Sequence, residues 1–446
     1  MYSCIRILDR ILISLLMVAN MPSRYLYSSL LYIVQPFIWL KLGYRSLKAK
    51  SYRHRVSERY GFGPTLKQGG IWLHSVSVGE TIASIPLVKA LEAAYPQLPI
   101  TITTMTPTGS EQVQKSFGDS VQHCYLPYDL PCAMRRLINN INPKIAIVME
   151  TELWPNMIHQ LNRRNIPVML ANGRLSARSA KGYGKVKSLV SPMLNEMSLI
   201  AAQYQADGDR YIELGLTREK LQVCGSVKFD INVSDTQRQH ANELKHQWAA
   251  DKPVWIAAST HAGEDEILLA AHKQLLQTVP NALLILVPRH PERFDEVAKL
   301  VANNQFRFLR KSHNEAVTAD CQVIIGDTMG ELMTLFGIAD VAFIGGSLVE
   351  RGGHNPLEPA AYGLPLIMGP HTFNFSSICT MLEDASALTT VSDEHALEEQ
   401  LRIFFKDKEK ASIKGKKALA VLQLNQGSLA KHLALIDQLL GNRHDN

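Results

Sequence analysis

From Gly70 onward the chain alternates short, nearly unbroken apolar runs with stretches of helical periodicity. Ile71–His74, Ile100–Thr104, Ile145–Met149 and Val168–Ala171 predict strands. Between the first two, Thr81–Tyr95 places Ile82, Ile85, Leu87, Val88 and Leu91 at helical spacing. Runs without polar alternation suit parallel strands covered on both faces and joined by right-handed β-α-β crossovers. The pattern weakens across the polar stretch 230–252, rich in Gln, His, Asn and Lys. It resumes with Val254–Ala258, Ala282–Val287, Val323–Ile325, Val341–Ile344 and Leu366–Met368, and the tail from Val421 again reads as helix. The chain is therefore expected to be α/β, with a hydrophobic and basic segment (1–50), a doubly wound domain (51–230), a linker (231–252) and a second doubly wound domain (253–446). The tail helix is expected to cross back onto the first half. Two such domains facing each other would bind a ligand at the carboxyl ends of their strands.

A length of 446 residues agrees with two domains rather than one core. The net charge of +6 suits an anionic ligand or membrane surface, and no basic block interleaved with aromatics points to nucleic acid. Six scattered cysteines without a Cys-x-x-Cys pair read as reduced thiols, not a zinc site. At the amino end, the run Ile11–Ala19 follows Arg6, Asp9 and Arg10. A longer run, Tyr25–Leu42, is broken by Gln35 and Pro36 and is borderline for a span of about 20 residues. Lys41, Arg45, Lys48, Lys50, Arg53, Arg55 and Arg59 form a cationic collar behind it. The expectation is a membrane anchor or monotopic helix with the body on the cytoplasmic side. A cleaved signal peptide and a buried amphipathic helix are the alternatives, and Met21 is an alternative start.

Candidate chemistry lies after the predicted strands. Glu80 ends the loop Ser75–Glu80 at a helix start, where N–H groups and the helix dipole are expected to keep it ionised. It reads either as a general base or as an ordinary first-turn glutamate. Glu150 and Glu152 follow the Ile145–Met149 run, where paired acids are costly unless partnered or functional. Trp154 and Pro155 offer a stacking surface and a helix start, and Arg174 and Arg178 are candidate anion contacts or surface residues. Lys228, read as emerging from an apolar strand, either neutralises charge on a leaving group or serves as a linker lysine. In the second half, Pro288 and Arg289 introduce a bidentate phosphate or carboxylate clamp. Met329, Gly330 and Glu331 combine a base-packing side chain, a close approach and a helix start. Ser259–Glu264 forms another strand-to-helix loop. The glycine-rich Gly345–Gly353 loop leads into Asn355, Pro356, Leu357 and Glu358. The glycines allow close approach of a ligand, and Asn355 and Pro356 suit the N-cap and first position of a helix whose unpaired N–H groups would meet a phosphate and whose Glu358 would meet a ribose; the alternative is a turn that only closes a strand-helix contact. No metal-ligand spacing, Ser-His-Asp order or Walker glycine loop is present, so neither metal nor resident cofactor is expected.

In this order, Glu58–Gly61, His74–Glu80, Glu150–Asn156, Asn172–Arg174, Gly225–Asp230, Pro288–Phe294 and Gly345–Pro359 closely resemble the bacterial 3-deoxy-D-manno-octulosonic acid (Kdo) transferases. The resemblance runs from about Leu31 to the end. It implies a metal-independent, inverting GT-B glycosyltransferase, two facing Rossmann-like domains with an N-terminal membrane-associated helix. CMP-Kdo would be donor substrate and the lipid A precursor the acceptor, at the cytoplasmic face of the inner membrane among its lipids. Glu80 would be the proton acceptor, and Glu150 and Lys228 the transition-state stabilisers. Pro288, Arg289, Met329, Gly330, Glu331, Asn355, Pro356, Leu357 and Glu358 would contact CMP. Another GT-B nucleotide-sugar transferase or epimerase, or a non-catalytic nucleotide-binding protein at the membrane surface, are the competing readings.

Overall fold

The computed structural model describes residues 24–441 apart from Ala49 and Ala250. The run Ile11–Ala19 lies outside the described residues. Seven parallel strands form the first sheet: β1 (Ile71–His74), β2 (Ile100–Thr104), β3 (Gln122–Tyr125), β4 (Ile145–Met149), β5 (Val168–Gly173), β6 (Leu199–Ala202) and β7 (Leu221–Val223). Their order is β3-β2-β1-β4-β5-β6-β7. Every residue of β1, β2, β4, β5 and β6 is buried. Alternate side chains enter two cores. Trp72, Ala146, Val148 and Leu170 meet Leu137, Ile158 and Leu194 from helices on one face. Ile71, Leu73, Ile147 and Met149 meet Leu87, Val88 and Leu91 on the other.

The second sheet is also parallel: β8 (Val254–Thr260), β9 (Leu283–Pro288), β10 (Phe308–Arg310), β11 (Val323–Ile325), β12 (Val341–Ile344), β13 (Leu366–Met368) and β14 (Leu388–Thr390). Its order is β10-β11-β9-β8-β12-β13-β14. In each sheet the winding direction reverses at one place, between β1 and β4 and between β8 and β12. Loops leaving the sheet diverge there, opening a crevice at the carboxyl ends of the strands.

Two assignments from sequence change. The chain divides into two compact units, one ending at Asp230 and regaining the chain from Gln426, the other running Ile231–Asn425. The polar stretch taken for a linker is largely a helix, Asp235–Ala249, of the second unit. It looked like linker because only Ala241 and Ala249 are buried on it; Lys245 pairs with Asp340 at 2.7 Å. The tail crosses back as expected, so Ser428–Gly441 belongs with the first unit rather than the second. Ile436 and Leu440 join the core beside Leu87. The Asp230 carboxylate accepts from the N–H groups of Gly427 and Leu429 at 2.6 Å each, tying both chain passages together.

Helix Arg24–Lys48 continues through Pro36. Among the described residues no helix is long and apolar enough to cross a membrane. Polar contacts on one side fasten this helix to the first unit: Ser28 Oγ donates to Asn156 Oδ1 at 3.1 Å, and Tyr60 OH to Gln35 Oε1 at 2.9 Å. Trp39 stacks on Tyr60 with centroids 5.6 Å apart. Tyr25, Ile33, Phe37, Leu40, Tyr44 and Leu47 remain exposed.

Removing the Asp230 cap leaves two helix-start N–H groups without that acceptor. D230A is expected to destabilise the first unit by about 1–2 kcal/mol. A thermal melt should show the midpoint falling by a few degrees, and an unchanged midpoint would contradict the capping role.

Candidate functional site

In the first unit, the loops after β1, β4 and β5 gather the candidate groups at the reversal point. Ser77 caps helix Val78–Ala94 by accepting from the Glu80 N–H, and Glu80 Oε2 returns to accept from the Val76 N–H at 2.5 Å. This reciprocal capping fixes the side chain of Glu80, which is 2 % exposed. Burial, then the charges of Glu152 and Glu150, push its pKa well above the usual carboxylate value, against the lowering effect of the Val76 and Ser77 backbone. The expectation of a permanently ionised carboxylate is thus corrected: desolvation and two acidic neighbours outweigh the helix dipole.

Glu150 closes β4 in a left-handed conformation, φ 56°. Its N–H donates to Ala171 O and its C=O accepts from the Arg174 N–H, so its backbone bridges into the loop after β5. Its Oε1 lies 3.5 Å from Lys228 Nζ and 3.4 Å from Asn172 Nδ2. Two of the residues singled out from sequence are therefore partners. Lys228 does not emerge from a strand. It sits on the 3-10 turn Val227–Phe229, flanked by buried Val227 and Phe229, with its own side chain partly exposed.

Asn172 is the organising residue that sequence reasoning left without a role. Itself left-handed at φ 54°, it donates to Glu150, accepts from the Val227 N–H at 3.2 Å, and gives its N–H to His432 Nε2 at 2.9 Å. Because Nε2 accepts, His432 is the neutral tautomer with its proton on Nδ1, which faces Ser428 O at 2.7 Å, and burial lowers its pKa in the same sense. A left-handed asparagine within Asn172-Gly173 was the available signal; nothing in the sequence pointed to His432. Trp154 sits edge-on to His74, ring centroids 6.4 Å apart. His74 Nε2 and Trp154 Nε1 are both buried without a hydrogen-bond partner. Arg178 is exposed on helix Ala177–Gly184, and Arg174 is partly buried beside Tyr204 and Asp207.

In the second unit, adjacent strands β11, β9, β8 and β12 deliver the loops carrying Met329–Glu331, Pro288–Arg289, Ser259–Glu264 and Gly345–Glu358. The glycine turn is held from a neighbouring loop, and the N–H groups of Gly346, Ser347 and Leu348 do not stand free. They donate to the fully buried Glu264 carboxylate at 2.7, 3.0 and 2.9 Å, and the His261 N–H joins them at 3.0 Å. The missed residue is Glu264, an acid three of whose four N–H partners lie more than 80 positions away. Beside it, buried Asp265 accepts from Thr260 and Arg293, each at 2.6 Å, so the structural carboxylate clamp in that motif is Arg293.

Arg289 is partly buried, and its charge opposes the burial that raises the Glu358 pKa. Asn355 Nδ2 donates to Glu358 Oε1 at 3.2 Å, while Asn355 Oδ1 accepts from the Leu357 N–H at 3.1 Å. The short helix Leu357–Ala360 starts one residue later than expected, with Pro356 at its cap position. Arg289, Asn355 and Glu358 thus share one neighbourhood. Glu331 stands at the N-terminal end of helix Leu332–Ile338 without a side-chain cap, and its carboxylate pairs with Lys311 at 2.6 Å. Gly330 is left-handed at φ 89° with open space where a Cβ would point, and Met329 is half exposed. Among the described residues, no three His, Cys, Asp or Glu side chains are arranged to hold a metal ion.

With this geometry in view, residues 54–231 match the family model described as 3-deoxy-D-manno-octulosonic-acid transferase (kdotransferase). The Kdo transferase of Haemophilus influenzae is 51% identical over 94% of this chain and 99% of its own length. The chain belongs to the Kdo transferase family. The Bordetella pertussis Kdo transferase is 34% identical over 79% of this chain and 84% of its own. Residues 253–420 match glycosyl transferases group 1, so this family member is a glycosyltransferase, acting in lipopolysaccharide biosynthesis. Among solved structures, a Rickettsia africae glycosyltransferase (TM-score 0.53, 15% identity, 84% of this chain and all of that one) shares the two-sheet fold. Acinetobacter baumannii MurG does so too (TM-score 0.52, 12% identity, 83% of this chain and all of that one).

The Glu80 environment has a pH signature. A carboxyl whose folded pKa is raised binds its proton in the native state while the unfolded chain has released it. Its contribution is therefore lost as pH rises from the ordinary value near 4.5 through the raised one. E80Q, which stays neutral, should gain stability relative to wild type across that rise. Thermal midpoints compared from about pH 5 to about pH 8 check this, and a constant difference between the proteins would count against it.

Proposed function

We propose that this Kdo transferase moves Kdo from CMP-Kdo to the lipid A precursor with inversion, releasing CMP, without a metal or resident cofactor. The observation that carries this reading is the constellation at the reversal point of the first sheet, where Glu80 is fixed by the Val76 N–H and feels the charge of Glu150, and Glu150 is held by Asn172 beside Lys228. Glu80 takes the proton from an acceptor hydroxyl. The hydroxyl oxygen forms its bond to the anomeric carbon as the bond from that carbon to the CMP phosphate oxygen breaks, its electron pair leaving with CMP. A buried carboxylate of raised pKa is a stronger base once ionised than an exposed one, which suits removal of a weakly acidic proton. Lys228, anchored by Glu150, is placed to stabilise charge on the reacting groups. In the second unit Pro288, Arg289, Met329, Gly330, Glu331, Asn355, Pro356, Leu357 and Glu358 are assigned to CMP.

We further assign helix Arg24–Lys48 to the cytoplasmic surface of the inner membrane. What supports this is its exposed row of Tyr25, Ile33, Phe37, Leu40, Tyr44 and Leu47 near Lys41 and Arg45, the composition of an interfacial helix. A helix fastened along one side and apolar on the other fits lying in the headgroup layer.

Incubation with CMP-Kdo and lipid A precursor, followed by mass spectrometry, should show Kdo added to the acceptor. E80Q should lower turnover by about 10²–10⁴-fold while leaving CMP binding intact; full activity in E80Q removes Glu80 from the role of base. Thermal protection by UDP rather than CMP would favour a UDP-sugar enzyme of the same fold. Replacing Phe37 and Leu40 together by Asp should abolish co-sedimentation with anionic vesicles at unchanged melting temperature, and retained binding would refute the membrane assignment.

A further inference from the structure

The carboxylate of Glu264 already occupies the N–H groups of Gly346, Ser347 and Leu348. An anion arriving at the ends of β8 and β12 must therefore be met by side chains. Those at hand are unusual. His261 Nε2 and His354 Nε2 lie 2.8 Å apart, and the two rings are stacked 7° from parallel with centroids at 5.1 Å. His290 stands edge-on to His261 at 5.4 Å. A Cβ on Gly346 would sit 3.2 Å from the His354 ring and 3.4 Å from His261, so the left-handed glycine, φ 69°, makes room for the pair. The surrounding charges are Arg289, Arg293 and Arg351. Of the nearby acids, Glu264 is engaged by four N–H groups, Asp265 by Arg293 and Thr260, and Glu358 by Asn355.

An Nε2-to-Nε2 contact requires one ring to donate and the other to accept. One added proton can be shared across such a bond without breaking it, whereas two would force the rings apart. We propose that His261 and His354, together with Arg289, form the anion seat of the second unit, closing on the nucleotide phosphate as the pair takes up a single proton. The seat rests on the cytidine-nucleotide reading above and adds to Arg289, already assigned to CMP there, two histidines outside the assigned residues. At rest, burial and the neighbouring cations hold the pKa of His261 down to about 4 and that of His354 to about 3, so the pair is neutral at physiological pH. An incoming dianion reverses the sign of the local field and favours the charged pair. While the seat is empty, its uncharged rings add no like-charge repulsion to that among Arg289, Arg293 and Arg351.

The test is calorimetric titration of the full chain with CMP, cytidine and inorganic phosphate between about pH 6 and about pH 8, in two buffers of different ionisation heat. Wild type should bind CMP more tightly as pH falls and take up a proton beyond that contributed by the CMP phosphate, which itself titrates near pH 6. H261N and H354N should bind cytidine as wild type does, bind CMP about tenfold more weakly, and lose the extra proton. Wild-type CMP affinity in both variants, or an equal loss for cytidine and CMP, overturns the seat, the latter by showing that the rings only shape the loop. Failure of wild type to bind either CMP or cytidine overturns the cytidine-nucleotide reading along with the seat.

Discussion

Loops that leave a buried parallel sheet carry backbone N–H groups that neither strand nor helix can satisfy, and leaving them unpaired away from water is costly. In this molecule the recurring solution is an acidic side chain. Glu80 receives Val76, Asp129 receives Asn156 and Met157, Asp230 receives Gly427 and Leu429, Glu58 receives Tyr125, and Glu264 receives four groups at once. Each contact pins a loop at the carboxyl end of a strand, where the chemistry is placed. It also draws a carboxylate out of water, which is why burial raises the pKa of both Glu80 and Asp129 despite their N–H partners. The scaffold requirement and the chemical tuning of the first unit are the same set of contacts.

How much of this was readable depended on whether a residue's partners were local. Strands such as Ile145–Met149 and Leu283–Pro288 announce themselves because both faces are covered, so every position is apolar. Edge strands do not. Gln122–Tyr125 starts partly exposed, Leu221–Val223 is largely exposed, and neither interrupts the polar background. The helix Asp235–Ala249 buries two alanines and was mistaken for a tether for the same reason. Glu80 and the Lys228 segment stood out because they lie in short distinctive loops. The contact between Glu150 and Lys228 spans 78 positions and carries no periodic trace. Glu264 shows the limit most sharply: its loop stands out in the sequence, yet its grip on the glycine turn leaves no local trace because Gly346, Ser347 and Leu348 are remote in sequence.

Several residues of the family pattern turn out to hold structure. Asn156 links the loop after β4 to Asp129 and to helix Arg24–Lys48. Glu58 grips Arg55 while capping the Tyr125 N–H. Arg293 braces the helix that begins with Asp265. A motif is thus a mixture, in which the groups meant for substrate are few and their neighbours hold them still. Asn172 shows the mixture within one side chain, since it orients Glu150, receives Val227 beside Lys228, and through His432 joins this loop to the tail helix.

The two units differ in the sign of what they gather. The first brings three glutamates and one lysine to its reversal point, so its poised group is an acid that can accept a proton. At the corresponding place the second neutralises its buried acids internally, Glu264 with N–H groups and Asp265 with Arg293, leaving Arg289 and the histidines as the groups able to meet negative charge. A group-transfer reaction that removes a proton from the acceptor and expels a phosphate needs both kinds of field, and they oppose each other if mixed. Placing each on its own sheet lets burial raise the carboxyl pKa in one unit and depress the imidazole pKa in the other. Desolvation disfavours charge of either sign, so the same physical effect raises the pKa of the carboxyl in one domain and lowers that of the imidazoles in the other, which is what the proposed base and the proposed anion seat each require.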